Sequence, residues 1–212
     1  MGTPSRPPEP ALVRLRVLLV VGALAVALAL GMLERASRSK PALAVLGQIP
    51  PFHLVDERGA AFGVDSMSGH ATVADFIFTR CTSSCPRLTA RMAELQGMLA
   101  RKGCGARLAS FSVDPENDTP AVLAKYASQA GADLARWAFV TGPLDEVERV
   151  VVSGFKMAAQ KIARDAGDYD VIHGDWFVLV DRDARLRGYY PIDDTSDLET
   201  LVKDVQALEA RR

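Results

Sequence analysis

Cysteine is scarce in this chain, and dense runs of basic residues are absent. Three cysteines among 212 residues are too few for a small domain held together by disulfides, and the odd number leaves one thiol over. Lysine and arginine together number 25 against 26 acidic residues, so the formal net charge is −1. Because nucleic-acid binding needs concentrated positive charge, this balance argues against a nucleic-acid partner.

Charge is also missing from residues 17–33, which consist almost entirely of Val, Leu, Ala and Gly. A helix of about 20 apolar residues spans a bilayer core. We therefore predict a transmembrane helix at about residues 12–33, within an N-terminal segment of residues 1–40. The run is longer than the apolar region of most signal peptides, and no cleavage site follows it closely. An uncleaved signal anchor is favoured over a cleaved signal peptide.

Basic residues are nearly balanced on the two sides of this apolar run, so the positive-inside rule does not orient it. The basic residues before it are Arg6, Arg14 and Arg16, and those after it are Arg35, Arg38 and Lys40. The segment before the apolar run is short and the segment after it is long. This favours a single-pass membrane protein with its globular domain outside the cytoplasm, which in a bacterium is the periplasm.

Residues 41–212 predict one α/β domain, because stretches of strand and helix periodicity alternate along them. Predicted strands are 52–56, 61–64, 72–79, 107–113, 137–141, 176–181 and 186–190. Predicted helices are 86–101, 118–130 (with Asp118 or Thr119 as cap), 144–155 and 196–210. A charged insertion, 156–168, and a loop, 168–175, precede the last two strands. This order predicts a mixed sheet flanked by helices.

Cys81 and Cys85 follow the strand predicted at 72–79 and lie at the start of the next helix, which is the thioredoxin arrangement. Thiolates at a helix start are stabilised by the helix dipole and by free backbone N–H groups. The two cysteines are four positions apart, close to one helical turn, so both sulfurs can face one side. Such a pair can exchange disulfides or bind a soft metal, and the spacing does not decide between the two.

His173 favours the metal. In a thioredoxin-type fold, the loop before the first strand of the last hairpin lies opposite the thiol pair, and redox thioredoxins usually carry a cis-proline there. Residues 168–175 contain no proline, and His173 stands where the loop should meet the sulfurs. Two thiolates and one imidazole make a good copper site. The alternative is a loop histidine bonded to a neighbouring carboxylate.

Three blocks in order resemble the Sco/SenC family of membrane-anchored, thioredoxin-like copper-delivery proteins that act in cytochrome c oxidase assembly. Residues 78–86 are similar to the family's copper motif, 112–120 to its second block, and 168–173 to its histidine block. The resemblance covers most of residues 46–208.

This resemblance implies that Cys81, Cys85 and His173 bind one copper ion, Cu(I) or Cu(II), and that the cysteines are also redox thiols. Asp168 matches an acidic position that holds the histidine loop, and Asp114 matches the acid of the second block, for which we expect a turn-capping role. The implied function is a copper metallochaperone rather than an enzyme. The implied acceptor is the binuclear copper centre of cytochrome c oxidase subunit II, or another oxidase assembly factor.

The chain departs from the family directly after the first cysteine, where members commonly carry proline and often an acidic residue. Here Thr82 and Ser83 occupy these positions. Less negative charge beside the sulfurs should favour thiolate and lower the cysteine pKa values.

A second function remains open on the same residues. A membrane-tethered thiol–disulfide oxidoreductase would use Cys81, the more exposed thiol, to attack and Cys85 to resolve, and it would reduce the oxidase cysteines before copper enters.

Several other residues are predicted to have no part in the site. Cys104 is predicted to be a spare thiol, His53 and His70 solvent-facing residues, and Trp137, Trp176, Phe177, Met92 and Met98 core.

Overall fold

A computed structural model describes residues 10–37, 43–157, 160–163, 169–172 and 175–210. The chain divides into two units, Met1–Ala42 and Leu43–Arg212.

The first unit contains one helix, α1, at Pro10–Ser37. Its large apolar side chains from Val17 to Leu28 are each more than half exposed. Within the part of the chain that the structure describes, no helix is long and apolar enough to cross a membrane. The transmembrane helix at about residues 12–33 stays a prediction.

The second unit is built on a six-stranded mixed sheet. The strands are β1 (Gly47–Gln48), β2 (His53–Val55), β3 (Ala61–Gly63), β4 (Thr72–Ile77), β5 (Arg107–Ser112), β6 (Trp137–Val140), β7 (Gln160–Ala163), β8 (Tyr169–Ile172), β9 (Trp176–Val180) and β10 (Arg185–Pro191). The helices are α2 (Val64–Met67), α3 (Cys85–Arg101), α4 (Pro120–Ala130), α5 (Leu144–Glu148), a π-helix at Arg149–Gly154, and α6 (Thr195–Glu209).

The sheet order is β1-β10-β9-β4-β5-β6, and two separate hairpins pair β2 with β3 and β7 with β8. Strands β4, β5 and β6 are parallel, whereas β9 runs antiparallel to β4 and to β10. All six residues of β4 are buried, as expected for a central strand covered on both faces. Because parallel strands end at the same edge of a sheet, the loops after β4 and β5 lie side by side.

The predicted order of strands and helices is confirmed for β4, β5, β6, β9 and β10 and for α3, α4 and α6. The edge strand β1 was not predicted, and the strands predicted at 52–56 and 61–64 form the separate β2–β3 hairpin. The helix predicted at 144–155 is an α-helix only at Leu144–Glu148 and a π-helix at Arg149–Gly154. The segment predicted as insertion and loop contains the β7–β8 hairpin. Each of these four-residue strands contains two adjacent apolar residues, so neither shows the strict alternation of polar and apolar residues that indicates a strand.

Trp137 and Phe177 are fully buried, as predicted. The prediction that Trp176 belongs to the core is wrong, because its side chain is 40% exposed. Trp176 is the first residue of β9, where it pairs with Pro191 at the end of the strand ladder and not over the centre of the sheet. Met92 is buried in α3, and Met98 packs partly buried against the same core.

Asp75 is a carboxylic acid in the middle of β4 with no exposed surface. Among the residues that the structure describes, neither of its oxygens has a hydrogen-bond partner. Burial raises the pKa of Asp75 to about 7, although the Ser110 hydroxyl on the neighbouring strand acts in the opposite direction. The Ser110 hydroxyl lies outside hydrogen-bond geometry, so it offsets burial only in part.

We predict that Asp75→Asn changes how stability depends on pH. A group whose pKa is raised on folding favours the folded state when protonated, and this contribution is lost as the pH rises from the unfolded value of 3.8 to about 7. The loss amounts to at most about 4 kcal/mol. Urea unfolding of both proteins across this range should show the wild type weakening relative to Asp75→Asn. Parallel stability profiles would contradict the prediction.

Candidate metal centre

Cys81 and Cys85 lie where β4 gives way to α3. Cys85 is the first residue of the helix, and Cys81 stands in the loop just before it. The Cys81 backbone N–H donates to the Phe78 carbonyl at 3.1 Å, and the Cys85 N–H donates to Cys81 Sγ at 3.4 Å. Both residues are thiols in this structure. A bend in the loop, and not a helical turn, therefore brings the two sulfur-bearing residues together, and the Cys85 N–H contact with Cys81 Sγ shows that they are close, as the spacing predicts.

The two thiols differ in how readily they ionise. Burial alone would raise the pKa of Cys81, but hydrogen bonds from the Ser83 hydroxyl and the Cys85 N–H outweigh it and lower the pKa. The Ser83 Oγ lies 3.4 Å from Cys81 Sγ. Burial raises the pKa of Cys85 far above its usual value, against a smaller opposing effect of the Phe78 backbone, and the charges of Cys81 and Asp75 raise it further. Cys81 therefore ionises first.

Exposure follows the same order. Cys81 is 8% exposed and Cys85 is 1% exposed. A cavity of about 500 Å³ opens beside Cys81. The cavity is lined by Thr79, Cys81, Pro86, Thr89, Ala90, Ala93, Tyr126, Gln129 and Ala130. None of these lining residues is charged, and a hydrogen bond of 2.7 Å between the Thr89 and Tyr126 hydroxyls joins its two helical walls. An incoming group can therefore reach Cys81 through an uncharged cavity.

Two carboxylates of the neighbouring loop hold the residues before Cys81. Asp118 accepts hydrogen bonds from the Thr79 N–H at 3.1 Å, from the Thr79 hydroxyl, and from the Ser112 hydroxyl at 2.6 Å. Burial raises the pKa of Asp118, and these donors lower it in part. Asp114, which has no exposed surface, forms an ion pair with Arg80 at 3.1 Å. Residues 112–120, the second sequence block, thus hold residues of the first block, 78–86, in place.

These contacts refine two sequence-based expectations. Thr119 is the cap of α4, because its side chain accepts from the Val122 N–H. Asp118 is not the cap of α4; its carboxylate accepts a hydrogen bond from the Thr79 N–H. Asp114 binds the Asn117 side chain at 2.9 Å, which agrees with its expected turn-capping role, and its ion pair with Arg80 adds a second one.

His173 and Asp168 lie outside the described residues. Chain on either side of them is described: β8 ends at Ile172, and β9 begins at Trp176 directly after Asp175. Within the described ranges, no group of three His, Cys, Asp or Glu side chains could hold a metal ion. The third ligand stays a prediction.

The remaining candidates lie apart from the thiol pair. Cys104 is buried in the loop before β5, at the end of the parallel strands opposite Cys81. The His70 imidazole lies 3.5 Å from a Glu209 carboxylate oxygen, and His53 is exposed.

Comparison with known proteins identifies the family. A family model described as SCO1/SenC matches residues 45–209, most of the chain. This chain belongs to the SCO1/SenC family. The family predicted from the three sequence blocks is confirmed.

Three relatives show how far the similarity extends. The Bacillus subtilis SCO1 protein homolog is 35% identical over 162 residues, which cover 76% of this chain and 82% of that protein. A structure of Bradyrhizobium japonicum ScoI with copper bound has 28% identity and a TM-score of 0.66, covering 78% of this chain and 99% of that one. A structure of BsSco, described as having a disulfide switch and as a member of the Sco family of cytochrome c oxidase assembly proteins, has 32% identity and a TM-score of 0.69, covering 80% and 98%. These matches confirm the thioredoxin-like α/β fold.

Sequence reasoning missed two acids that surround the thiol pair of this SCO1/SenC protein. Asp75 was readable as the one charged residue inside the apolar run of β4. The contact of Asp118 with Thr79 had no sequence signal, because 39 positions separate the two residues. Only the side-by-side placement of two loops brings them together.

We predict that Ser83→Ala raises the pH at which Cys81 becomes reactive. The variant removes a hydrogen bond that stabilises the Cys81 thiolate, so alkylation at neutral pH should slow by up to about tenfold. The measurement is the rate of iodoacetamide modification at Cys81 as a function of pH, followed by peptide mass. Ser84→Ala is the matched control and should keep the wild-type profile. Equal profiles for all three proteins would refute the role of Ser83.

Proposed function

We propose that this SCO1/SenC protein is a membrane-attached copper metallochaperone that binds one copper ion through Cys81, Cys85 and His173. The observation that carries the proposal is the pairing of two thiols at the edge of the sheet, of which one ionises easily and is reachable from solvent. A relative with the same fold has been solved with copper bound. Copper is therefore the metal that the chemistry and the comparisons both support.

The unequal thiols suit stepwise loading of copper as cargo. Thiolate sulfur is the ligand that Cu(I) prefers, and Cys81 offers it first because its pKa is lowered. Cys85 keeps its proton in the metal-free protein, so binding must displace that proton. Loading is consequently expected to release at least one proton and to strengthen as the pH rises. The His173 imidazole completes a three-ligand set.

Release follows from the same arrangement. A three-ligand site leaves room for an incoming thiolate, and the cavity beside Cys81 gives that thiolate a path. Acceptor sulfurs would replace Cys81, Cys85 and His173 one at a time. The acceptor we propose is cytochrome c oxidase, in particular the copper centre of its subunit II, since a 32% identical relative is described as an oxidase assembly protein.

We predict that the full-length chain, loaded with Cu(I) or Cu(II), holds close to one copper per chain. His173→Ala should lose most of this copper, because even substitution of a residue that only supports a metal ligand typically costs about ten- to a hundredfold in metal affinity. His53→Ala is the matched control: it removes an exposed histidine and should load like the wild type. Copper is quantified by elemental analysis after passage over a weak chelator. Full loading of His173→Ala would contradict the proposed ligand set.

A thiol–disulfide oxidoreductase is the second candidate, favoured by the inequality of the two thiols. The Cys81 thiolate would attack a partner disulfide, form a mixed disulfide and release one partner thiolate. Cys85 would then lose its proton and attack Cys81 Sγ, which releases the second partner thiol and leaves a Cys81–Cys85 disulfide. Retained copper in His173→Ala together with efficient insulin reduction would favour this function over copper delivery.

We also propose that the N-terminal segment attaches the chain to a membrane, with the thioredoxin-like domain outside the cytoplasm. The exposed valine and leucine side chains of α1 support this, because such a surface is unfavourable in water. We predict that the full chain sediments with membranes and resists extraction by high salt or alkaline carbonate. A variant lacking residues 1–42 should remain in the supernatant. Recovery of the full chain in the carbonate supernatant would refute a membrane-integral anchor.

A further inference from the structure

The cavity of about 500 Å³ beside Cys81 lies between α3 and α4, and we call it the α3–α4 cavity. One face of each helix contributes to its wall, because the helical residues that line it recur three or four positions apart. Examples are Pro86, Ala90 and Ala93 on α3, and Tyr126 and Ala130 on α4. The Cys81 side of the same wall comes from the loop before α3. A sulfur-bearing loop and two helices therefore enclose one space.

Small side chains leave this space open. Ala90, Ala93 and Ala130 present only methyl groups to it. The hydroxyls of Thr89 and Tyr126, 2.7 Å apart, join the two helices beside these alanines. A volume of about 500 Å³ lies within the range of roughly 300–1,000 Å³ that is typical of pockets for small molecules. The α3–α4 cavity is therefore large enough to receive a side chain of another protein.

The residues that line the α3–α4 cavity offer no charge to a ligand. All of them are uncharged types. Burial raises the pKa of Tyr126 to about 12, so its hydroxyl stays protonated at neutral pH. A charged side chain that entered would lose water without gaining a charged partner, which is unfavourable. An apolar side chain would gain free energy by leaving water. The cavity therefore favours an uncharged, apolar group.

Cys81 indicates what carries that group. It is the more exposed of the paired thiols, and it lines the α3–α4 cavity whereas Cys85 does not. Both candidate functions require Cys81 to exchange with a cysteine of another protein. Residues next to that cysteine must then lie close to Cys81, where the cavity opens. The group that the cavity receives is therefore the side chain beside the partner's cysteine.

We infer that the α3–α4 cavity is a recognition site for an uncharged, apolar residue next to the cysteine of a partner protein. This inference rests on the proposed function, since the partner is the protein whose cysteine exchanges at Cys81. It narrows the class of partner: a cysteine flanked by acidic or basic residues should react more slowly than one flanked by apolar residues.

The test follows disulfide exchange between the full-length Cys85→Ser protein and short peptides with blocked termini. Each peptide reads Gly-X-Cys-X-Gly, where X is Leu, Gly, Asp or Lys, and its cysteine is bound to thionitrobenzoate. The Cys81 thiolate attacks the peptide sulfur, the bond to thionitrobenzoate breaks, and a Cys81–peptide disulfide forms as the coloured thionitrobenzoate anion leaves. Cys85→Ser prevents the resolving step, and peptide mass locates the adduct.

Each rate is divided by the rate of the same peptide with N-acetylcysteine amide, which removes the effect of X on the peptide's own reactivity. The leucine peptide should then react about five- to tenfold faster than the aspartate and lysine peptides, as expected when part of a leucine side chain leaves water and a charged one cannot. The glycine peptide should fall between them. Equal normalised rates for the four peptides would overturn the inference.

Two alanines of α3 supply a matched pair of variants in the same Cys85→Ser protein. Ala90 and Ala100 are both exposed, but only Ala90 lines the α3–α4 cavity. Ala90→Leu should abolish the preference for the leucine peptide, because its own side chain occupies the space, and Ala100→Leu should keep it. Ala90→Lys should make the aspartate peptide faster than the lysine peptide, whereas Ala100→Lys should not. A preference lost in both leucine variants, or in neither, would overturn the inference.

Copper loading of the unmodified full-length protein separates this inference from the proposed function, because the peptide assay contains no copper. Peptide selectivity in a protein that loads no copper would refute copper delivery and leave the recognition site in place, where it would serve the oxidoreductase. One copper per chain without peptide selectivity would refute the recognition site alone.

Discussion

The site depends on one buried carboxylate that joins two loops. The three residues between β4 and Cys81 lie outside the strand ladder, and Asp118 holds this segment by accepting three hydrogen bonds from Thr79 and Ser112. Hydrogen bonds to a carboxylate are each worth about 1.5–3 kcal/mol. Asp118, together with the ion pair between Asp114 and Arg80, therefore holds the segment that leads into Cys81.

The two thiols differ in solvent exposure and in how readily they ionise. Cys81 faces an uncharged cavity, and the Ser83 hydroxyl lowers its pKa. Cys85 lies deeper, where burial raises its pKa and the buried Asp75 raises it again. The difference is useful for a carrier, because one thiolate is ready to capture the ion while the second binds only in exchange for a proton. The same difference suits disulfide exchange, which is why the two candidate functions share these residues.

Ser83 is one of the two residues, with Thr82, by which this chain departs from its family's usual motif, and its hydroxyl lies 3.4 Å from Cys81 Sγ. The expectation that losing an acidic neighbour lowers the cysteine pKa values agrees with Cys81, whose pKa is lowered, but is wrong for Cys85, whose pKa is raised by burial. The physical cause differs in part, since the hydroxyl contributes a hydrogen bond in addition to the absence of negative charge. A single substitution beside a metal ligand can thus tune its reactivity without changing the ligand set.

Local features of the sequence were sufficient for the thiol pair, the family and most of the sheet. Cys81 and Cys85 are close because only four positions of chain separate them, and β4 is central because its residues are nearly all apolar; both properties are local. The contacts of Asp118 with Thr79 and of Asp114 with Arg80 span 39 and 34 positions, and no local pattern encodes them. They arise because the parallel strands β4 and β5 end at one edge of the sheet, so only the tertiary structure decides which polar groups hold the segment before Cys81.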